Sequence, residues 1–376
     1  MPTWAETCGG LPKLAVTTPA GYCVGVVAEG LKMPRGLSFL PDGRLAVAEM
    51  GSWVANRGRL SVLTPGAAGW QAKVVLESLD RPHGVALGPD GQLYLGEVGK
   101  ISRIPLAQLD KASPRLEPTI ALPPPGSRRH PLTSFTFAPD GTLYVNIGSG
   151  SDNCEAATAA ERAANRCAEV EGDEAFGVVR RYKIEAGKIG AAEILATGLR
   201  NSVALGVHTS GTILQGENSR DAIHKPLKLS NDEELPHDEL NVLVQGKHYG
   251  WPFCYDKKVA APEFAKYDCS KTEAPLRLLP PHAAPLGLTW WTGEKVPAAY
   301  KGWLVVGYHG YRKYGHRLMA FPVDAKGIPK AEAIELISDW KDAKGLGAPV
   351  DVRVGPDGAL YLTDDKHGQV LRFGPQ

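Results

Sequence analysis

Residues 82–97 read PHGVALGPDGQLYLGE, and the order of residue types in this stretch decides the fold. Val85 and Leu87 alternate with small or polar neighbours, Pro89-Asp90-Gly91 follows, and Leu93 and Leu95 alternate again. Period-two alternation marks a strand with one buried face. Proline presets φ, aspartate bonds its own backbone, and glycine accepts positive φ without a Cβ clash, so the chain reverses between two such strands. The stretch is therefore a hairpin. It recurs as PRGLSFLPDGRLAVAE at 34–49, PLTSFTFAPDGTLYVNI near 132–147 and PVDVRVGPDGALYLTD at 349–364. Two degenerate copies fill the gaps, NSVALGVHTSGTILQGE at 201–217 and PLGLTWWTGEKVPAAYKGWLVVGY at 285–308.

Six hairpins with start-to-start spacings from 48 residues (34 to 82) to 84 residues (201 to 285) suit four-stranded units with loop insertions. The expectation is an all-β six-bladed β-propeller with four-stranded antiparallel blades, built as one domain over residues 1–376. Insertions are placed at 150–176, with a short helix from Ala156 to Ala164, and at 218–238 and 253–283. The early run from Cys23 to Glu29 is expected to pair with the last blade, since an unclosed ring leaves strand edges exposed.

Forty-two basic against 41 acidic residues leave a net charge of +1, with no basic block of the kind that neutralises phosphates. Nucleic acid is excluded as an expected partner. No apolar run approaches the roughly 20 residues that cross a bilayer as a helix. All six cysteines fall into close pairs, Cys8 with Cys23, Cys154 with Cys167 and Cys254 with Cys269, and none shows metal, redox or haem spacing. Three local disulfides imply an oxidising compartment, periplasmic or extracellular, with a leader already removed.

Propellers gather function where loops flanking the inner strands meet at one mouth of the channel. His83, His130, Arg200-Asn201 and His309 flank four hairpins at that level. Arg128 and Arg129 beside His130 read equally well as solvated charges. Segment 238–252, DELNVLVQGKHYGWP, combines carboxylates with a tight aromatic turn and reads either as an oxygen-donor metal site or as a packed turn between blades.

Over residues 34–373, and in HPLTSFTFAPDGTLYVNIGS, ATGLRNSVALGV, DELNVLVQGKHYGWP, HAAPLGLTWWTG, LVVGYHGYRKYGHR and VDVRVGPDGALYLTDD in particular, the chain resembles the soluble glucose/sorbosone dehydrogenase superfamily that uses pyrroloquinoline quinone (PQQ), and especially its aldose sugar and sorbosone branch. The resemblance implies oxidation of a sugar or related alcohol or aldehyde, with electrons passed on to an acceptor that the sequence does not specify. It makes His130 the general base and Arg200 the cation beside the quinone oxygens, with Asn201, Asn218, His309 and Arg312 around the cofactor. Backbone carbonyls of Ser219 and Arg220 match a calcium ion held against PQQ, and Glu239 and Tyr249 match a second, structural calcium. The chain departs from the glucose dehydrogenase pattern where cofactor-holding cations stand. Those places read His309, Ala348 and Val350, with Arg312 and Arg317 nearby.

Two other readings stay open at this point. Glu49, Glu97, Asn146 and Glu217 follow successive hairpins and would form the axial cluster of a calcium-dependent propeller lactonase. A binding propeller without cofactor would keep the scaffold alone.

Overall fold

The computed structural model describes residues 6–376 apart from 68, 124–128, 186 and 343–344, so Arg128 lies outside the described residues. Every hairpin forms as the sequence pattern requires. Blade 1 runs from inside to outside as Pro34–Phe39, Leu45–Glu49, Gly58–Thr64 and Gln71–Leu79. Blade 2 follows with Val85–Leu87, Gln92–Glu97, Lys100–Pro105 and Glu117–Ala121, and blade 3 with Phe135–Phe137, Leu143–Ile147, Val178–Tyr182 and Glu193–Thr197. Blade 4 is Ala204–Val207, Ile213–Glu217, His237–Val242 and Arg277–Pro281; blade 5 is Pro285–Trp290, Leu304–Tyr308, Arg317–Phe321 and Ile334–Ile337. Blade 6 takes Pro349–Val354, Leu360–Asp364 and Gln369–Pro375 from the C-terminal end and Tyr22–Ala28 from the N-terminal end.

That last pairing closes the ring. Tyr22–Ala28 lies antiparallel to Gln369–Pro375, and the Cys8–Cys23 disulfide ties it to the chain before it. The first strands of successive blades touch all the way round, from blade 1 to blade 6 and back to blade 1. Gly36 shows how closely they approach. A Cβ there would lie 2.4 Å from the His83 carbonyl oxygen of blade 2, so only glycine lets these inner strands meet.

The core lies between neighbouring blades. Val305, Leu318, Ala320 and Leu336 of blade 5 pack against Val352, Leu360, Leu362 and Phe373 of blade 6, all buried. Each such side chain stabilises the fold by about 1.5–3 kcal/mol relative to exposure.

The insertions differ in detail from the sequence pattern. The helix in 150–176 is Ala159–Ala163, shorter than expected because Thr158 and Glu161 form a capping box that fixes its start. The stretch 253–283 is not all insertion, since its end, Arg277–Pro281, is the outer strand of blade 4. Segment 238–252 does two jobs. Its first part is the third strand of blade 4, and Lys247–His248 then adds in parallel to the outer edge of blade 3. Disulfides Cys154–Cys167 and Cys254–Cys269 share one apolar cluster with Phe253 and Phe264, so insertions of blades 3 and 4 brace each other beside the channel mouth.

Candidate active site

The second strand of each blade ends at this mouth, and in four blades its last residue is a buried carboxylate. Each accepts a backbone N–H from the loop entering its own blade. Glu49 takes Lys32 N–H at 2.5 Å, Glu97 takes Asp80 at 2.9 Å, Glu217 takes Asn201 at 2.9 Å and Asp364 takes Ala348 at 3.1 Å. Asn146 does the same in blade 3 with Ser134 N–H at 2.6 Å. These side chains pin the entry loops and so position what those loops carry. Glu49, Glu97, Asn146 and Glu217 are thereby turned into their own blades, and the axial cluster that a lactonase reading needs is not formed by them.

The entry loops and the turns after the second strands enclose a cleft of about 490 Å³ lined by Arg129, His130, Arg200, Asn201, Asn218, Ser219, Asp221, Asp238, His282, Ala284 and residues 309–312. A smaller lobe of about 180 Å³ shares His130, Asn201, Asn218, His309 and Tyr311 with it and adds Arg35 and Trp53. The structure thus brings together His130, Arg200, Asn201, Asn218, Ser219, His309 and Arg312 from three blades.

His130 is held by its backbone, with His130 N–H on the Ser149 carbonyl at 3.1 Å. Its Nδ1 lies 2.8 Å from the Ser149 hydroxyl oxygen. Gly148 makes room for it, because a Cβ at that position would stand 2.3 Å from the His130 carbonyl oxygen. Burial, and then the positive charges of Arg200 and Arg129, hold the imidazole pKa well below its ordinary value. His130 is therefore neutral near pH 7, as a proton acceptor must be.

Arg200 is buried at the cleft floor. Its guanidinium donates to the carbonyls of Asn218 and Ser219, each at 2.9 Å, and to the Asp152 carbonyl at 3.2 Å, and it pairs with the Asp152 carboxylate. The Ser219 carbonyl assigned to a calcium is thus engaged by Arg200. Arg312 lines the cleft but pairs with Asp232 at 2.6 Å, which joins blade 5 to the 218–238 insertion. Arg317 pairs with Glu335 on the outside of blade 5. The Arg220 side chain is buried against Glu263 at 2.6 Å.

Sequence reasoning overlooked a second group on the blade 1 and blade 6 side. Arg35 is buried, pairs with Asp365, and donates from Nε to His83 Nδ1 at 3.1 Å; His309 Nε2 lies 3.0 Å from the other Asp365 oxygen. Burial lowers the pKa of His83 well below normal and also lowers that of His309, while His309 and Arg35 hold Asp365 far below the usual carboxylate range. A signal for both residues was present. Arg35 stands where His83 stands in the next repeat, and Asp365 stands where Asn218 and His309 stand in theirs. Ala348 and Val350 are buried and line neither lobe of the cleft, whereas Arg35 lines the smaller one.

Glu239 and Tyr249 border a small cavity of about 20 Å³ that shares Arg200 and Ser219 with the main cleft and is also lined by Glu217, Gly198 and Arg220. Glu217 and Glu239 are directly opposed cross-strand partners. Burial drives the Glu217 pKa up to about 7, and burial with the Glu217 charge pushes Glu239 well above normal. Two opposed buried carboxylates around a space of ionic size call for a cation. Tyr249 can give it only a backbone oxygen, since its hydroxyl donates to the Val242 carbonyl at 2.6 Å and accepts from Val244 N–H at 2.9 Å.

Comparison with known proteins agrees with this architecture. An uncharacterized protein of Borreliella burgdorferi is 28% identical over 195 residues, 48% of each chain, so the chain spans about half the length of that curated relative. Among solved structures, the PQQ domain of pyranose dehydrogenase from Coprinopsis cinerea, in its holo form, superposes with a TM-score of 0.73 at 19% identity, covering 98% of this chain and 99% of that one. A carbohydrate-active enzyme of family AA12 from Trichoderma reesei gives 0.76 at 18% identity, covering 97% and 99%, and is also known in a calcium structure. The TrAA12-like family model matches residues 16–373. With six blades, a histidine and arginines at one channel mouth, and a family match over nearly its whole length, the chain belongs to the TrAA12-like family of PQQ-dependent oxidoreductases.

Proposed function

We propose that this chain oxidises a sugar, or a related alcohol or aldehyde, in its channel-mouth cleft, with PQQ as the bound oxidant and calcium as a structural ion. The observation that carries the reading is the pairing of a neutral, half-buried histidine with arginines around one cleft. PQQ is a planar tricarboxylate, so it needs cations and a broad slot. Arg129, which is 48% exposed on its side chain, and Arg312, at 40%, have solvent-facing N–H groups to offer carboxylates. Arg35 of blade 1 and Asn201 and Asn218 of blade 4 supply further polar groups along the smaller lobe. The donor set fits the group.

When bound, PQQ supplies an electrophilic carbonyl that accepts hydride from the substrate carbon. His130 removes the substrate hydroxyl proton, for which its depressed pKa keeps it unprotonated. Arg200, fixed by Asp152, holds positive charge at the cleft floor, where oxyanion character develops. Trp53 and Tyr311 border the smaller lobe as exposed flat surfaces for a ring. Calcium fits the Glu217–Glu239 pair by donor chemistry, carboxylate oxygens with no free thiolate, since the Cys254 sulfur on the cavity wall is held in a disulfide. The three disulfides support an exported, oxidising location.

The test is reconstitution of metal-stripped protein with PQQ and calcium, followed by absorbance and by dye-linked assays on a panel of sugars. Uptake of PQQ and sugar-dependent dye reduction are expected, and His130→Ala should lower the rate by about 10² to 10⁴ while retaining PQQ. A wild-type protein that takes up no PQQ would overturn the reading. Equal activity in His130→Ala would remove only the base, and His309 would be examined next.

A further inference from the structure

We propose that Ser149 is a positioning residue that fixes His130 as the Nδ1–H tautomer and so leaves Nε2 as the proton acceptor facing the cleft. The inference rests on His130 being the base and concerns how that base is set.

The hydrogen-bond geometry permits one assignment. Ser149 is fully buried, and its Oγ lies 2.8 Å from His130 Nδ1 and 2.6 Å from the Ser151 carbonyl oxygen. A hydroxyl has one proton to give. The Ser151 carbonyl can only accept, so at 2.6 Å that proton must lie between the two oxygens. Were it directed at His130 instead, two oxygen lone pairs would face each other in a buried site. The serine oxygen is therefore an acceptor toward His130, and Nδ1 carries hydrogen. In the neutral ring Nε2 then holds the free lone pair. Among the described residues Nε2 has no hydrogen-bond partner, and His130 lines both lobes of the cleft.

The backbone makes this arrangement stiff. Ser149 N–H donates to the Arg200 carbonyl at 2.8 Å while the Ser149 carbonyl accepts from His130 N–H, so one residue links the base to the floor arginine. Glu169 holds the next turn, accepting Gly150 N–H at 2.8 Å and Ser151 N–H at 3.2 Å, which fixes the carbonyl that orients the serine hydroxyl. In the reaction the substrate O–H bond breaks and its proton forms an N–H bond at Nε2. With PQQ bound as the hydride acceptor, the substrate C–O bond would become a carbonyl, and the imidazolium would later return its proton to water. The Nδ1–H···Oγ bond persists throughout, so the ring does not turn between steps.

Protein labelled with ¹⁵N-histidine, free of PQQ, tests the tautomer directly through the two-bond nitrogen–proton couplings of the ring. The His130 signals are assigned among the ten histidines by their loss in His130→Asn. Wild type should show a protonated Nδ1 and a bare Nε2 from pH 6 to 8. Ser149→Ala should show a tautomer mixture, and Ser149→Thr should restore the wild-type state. After reconstitution, Ser149→Ala should lower kcat by about 10- to 100-fold with KM little changed, and the threonine variant should recover most of it. A wild-type spectrum with hydrogen on Nε2, or a Ser149→Ala variant with unaltered tautomer and kcat, overturns the proposal. Failure of PQQ uptake would overturn the proposed function but leave the tautomer result standing, so the two can be told apart.

Discussion

Replacing Glu217 by glutamine tests the cation cavity through the pH dependence of stability. A carboxyl whose pKa moves from 4.5 in the unfolded chain to about 7 in the fold costs about 3 kcal/mol to ionise in place. Because the folded value is the higher one, the associated stability is complete below pH 4.5 and is lost as pH rises through about 7. In metal-free protein the wild type should therefore lose up to about 3 kcal/mol relative to Glu217→Gln between pH 4.5 and 7. The fixed cost of setting an amide beside the Gln215 side chain, 2.8 Å away in the wild type, cancels in that slope. Buried neutral histidines titrate alike in both proteins and cancel too. At about 2.1 cal/mol/K per residue, 376 residues give an unfolding entropy of about 0.8 kcal/mol/K, so 3 kcal/mol corresponds to about 4 °C in Tm. The assay is calorimetry of chelator-treated protein at several pH values, with and without calcium. Calcium should reverse the order at pH 7, stabilising wild type more than the variant. A Tm difference that stays constant from pH 5 to 7, with equal calcium response in both proteins, would refute the cavity as a cation site.

Non-reducing peptide mapping should recover Cys8–Cys23, Cys154–Cys167 and Cys254–Cys269 and no free thiol. Replacing Cys8 and Cys23 by serine should cost at most about 3 kcal/mol and increase amide exchange in the closing strand, while unchanged exchange there would argue against its tethering role. Gly148→Ala should displace the His130 loop, since the new Cβ would stand 2.3 Å from the His130 oxygen. Its expected mark is a rate loss of about 10²-fold with about 1–3 kcal/mol of destabilisation, and full activity in this variant would show that the loop accommodates the methyl group elsewhere.

The hairpins were readable because Pro-Asp-Gly turns and period-two alternation are local signals, and all six formed where the repeats place them. Outer strands were less readable. Arg277–Pro281 lies 35 residues beyond the third strand of its blade, and the braced insertion between them erases the repeat spacing. Site residues beside the hairpins, such as His130 and Arg200, followed from their place in the repeat. Arg35 and Asp365 share that place, but a salt bridge across 330 residues between the first and last blades leaves no mark in local sequence. Glu217 was read by its position after a hairpin, whereas its role beside Glu239 depends on cross-strand register. The meaning of Ser149 resides in the direction of one hydroxyl proton, which only the positions of both its neighbours reveal.

The strand that completes blade 6 precedes blade 1 in the sequence, yet its partner, Gln369–Pro375, follows all the other blades. During synthesis the Tyr22–Ala28 strand must therefore wait, its partner edge unsatisfied, until the residues of all six blades have been made. Arg35 waits with it for Asp365, so a cleft cation acquires its counter-charge only when the circle is complete. A chain cut short within blade 6 would lose the site as well as the seam.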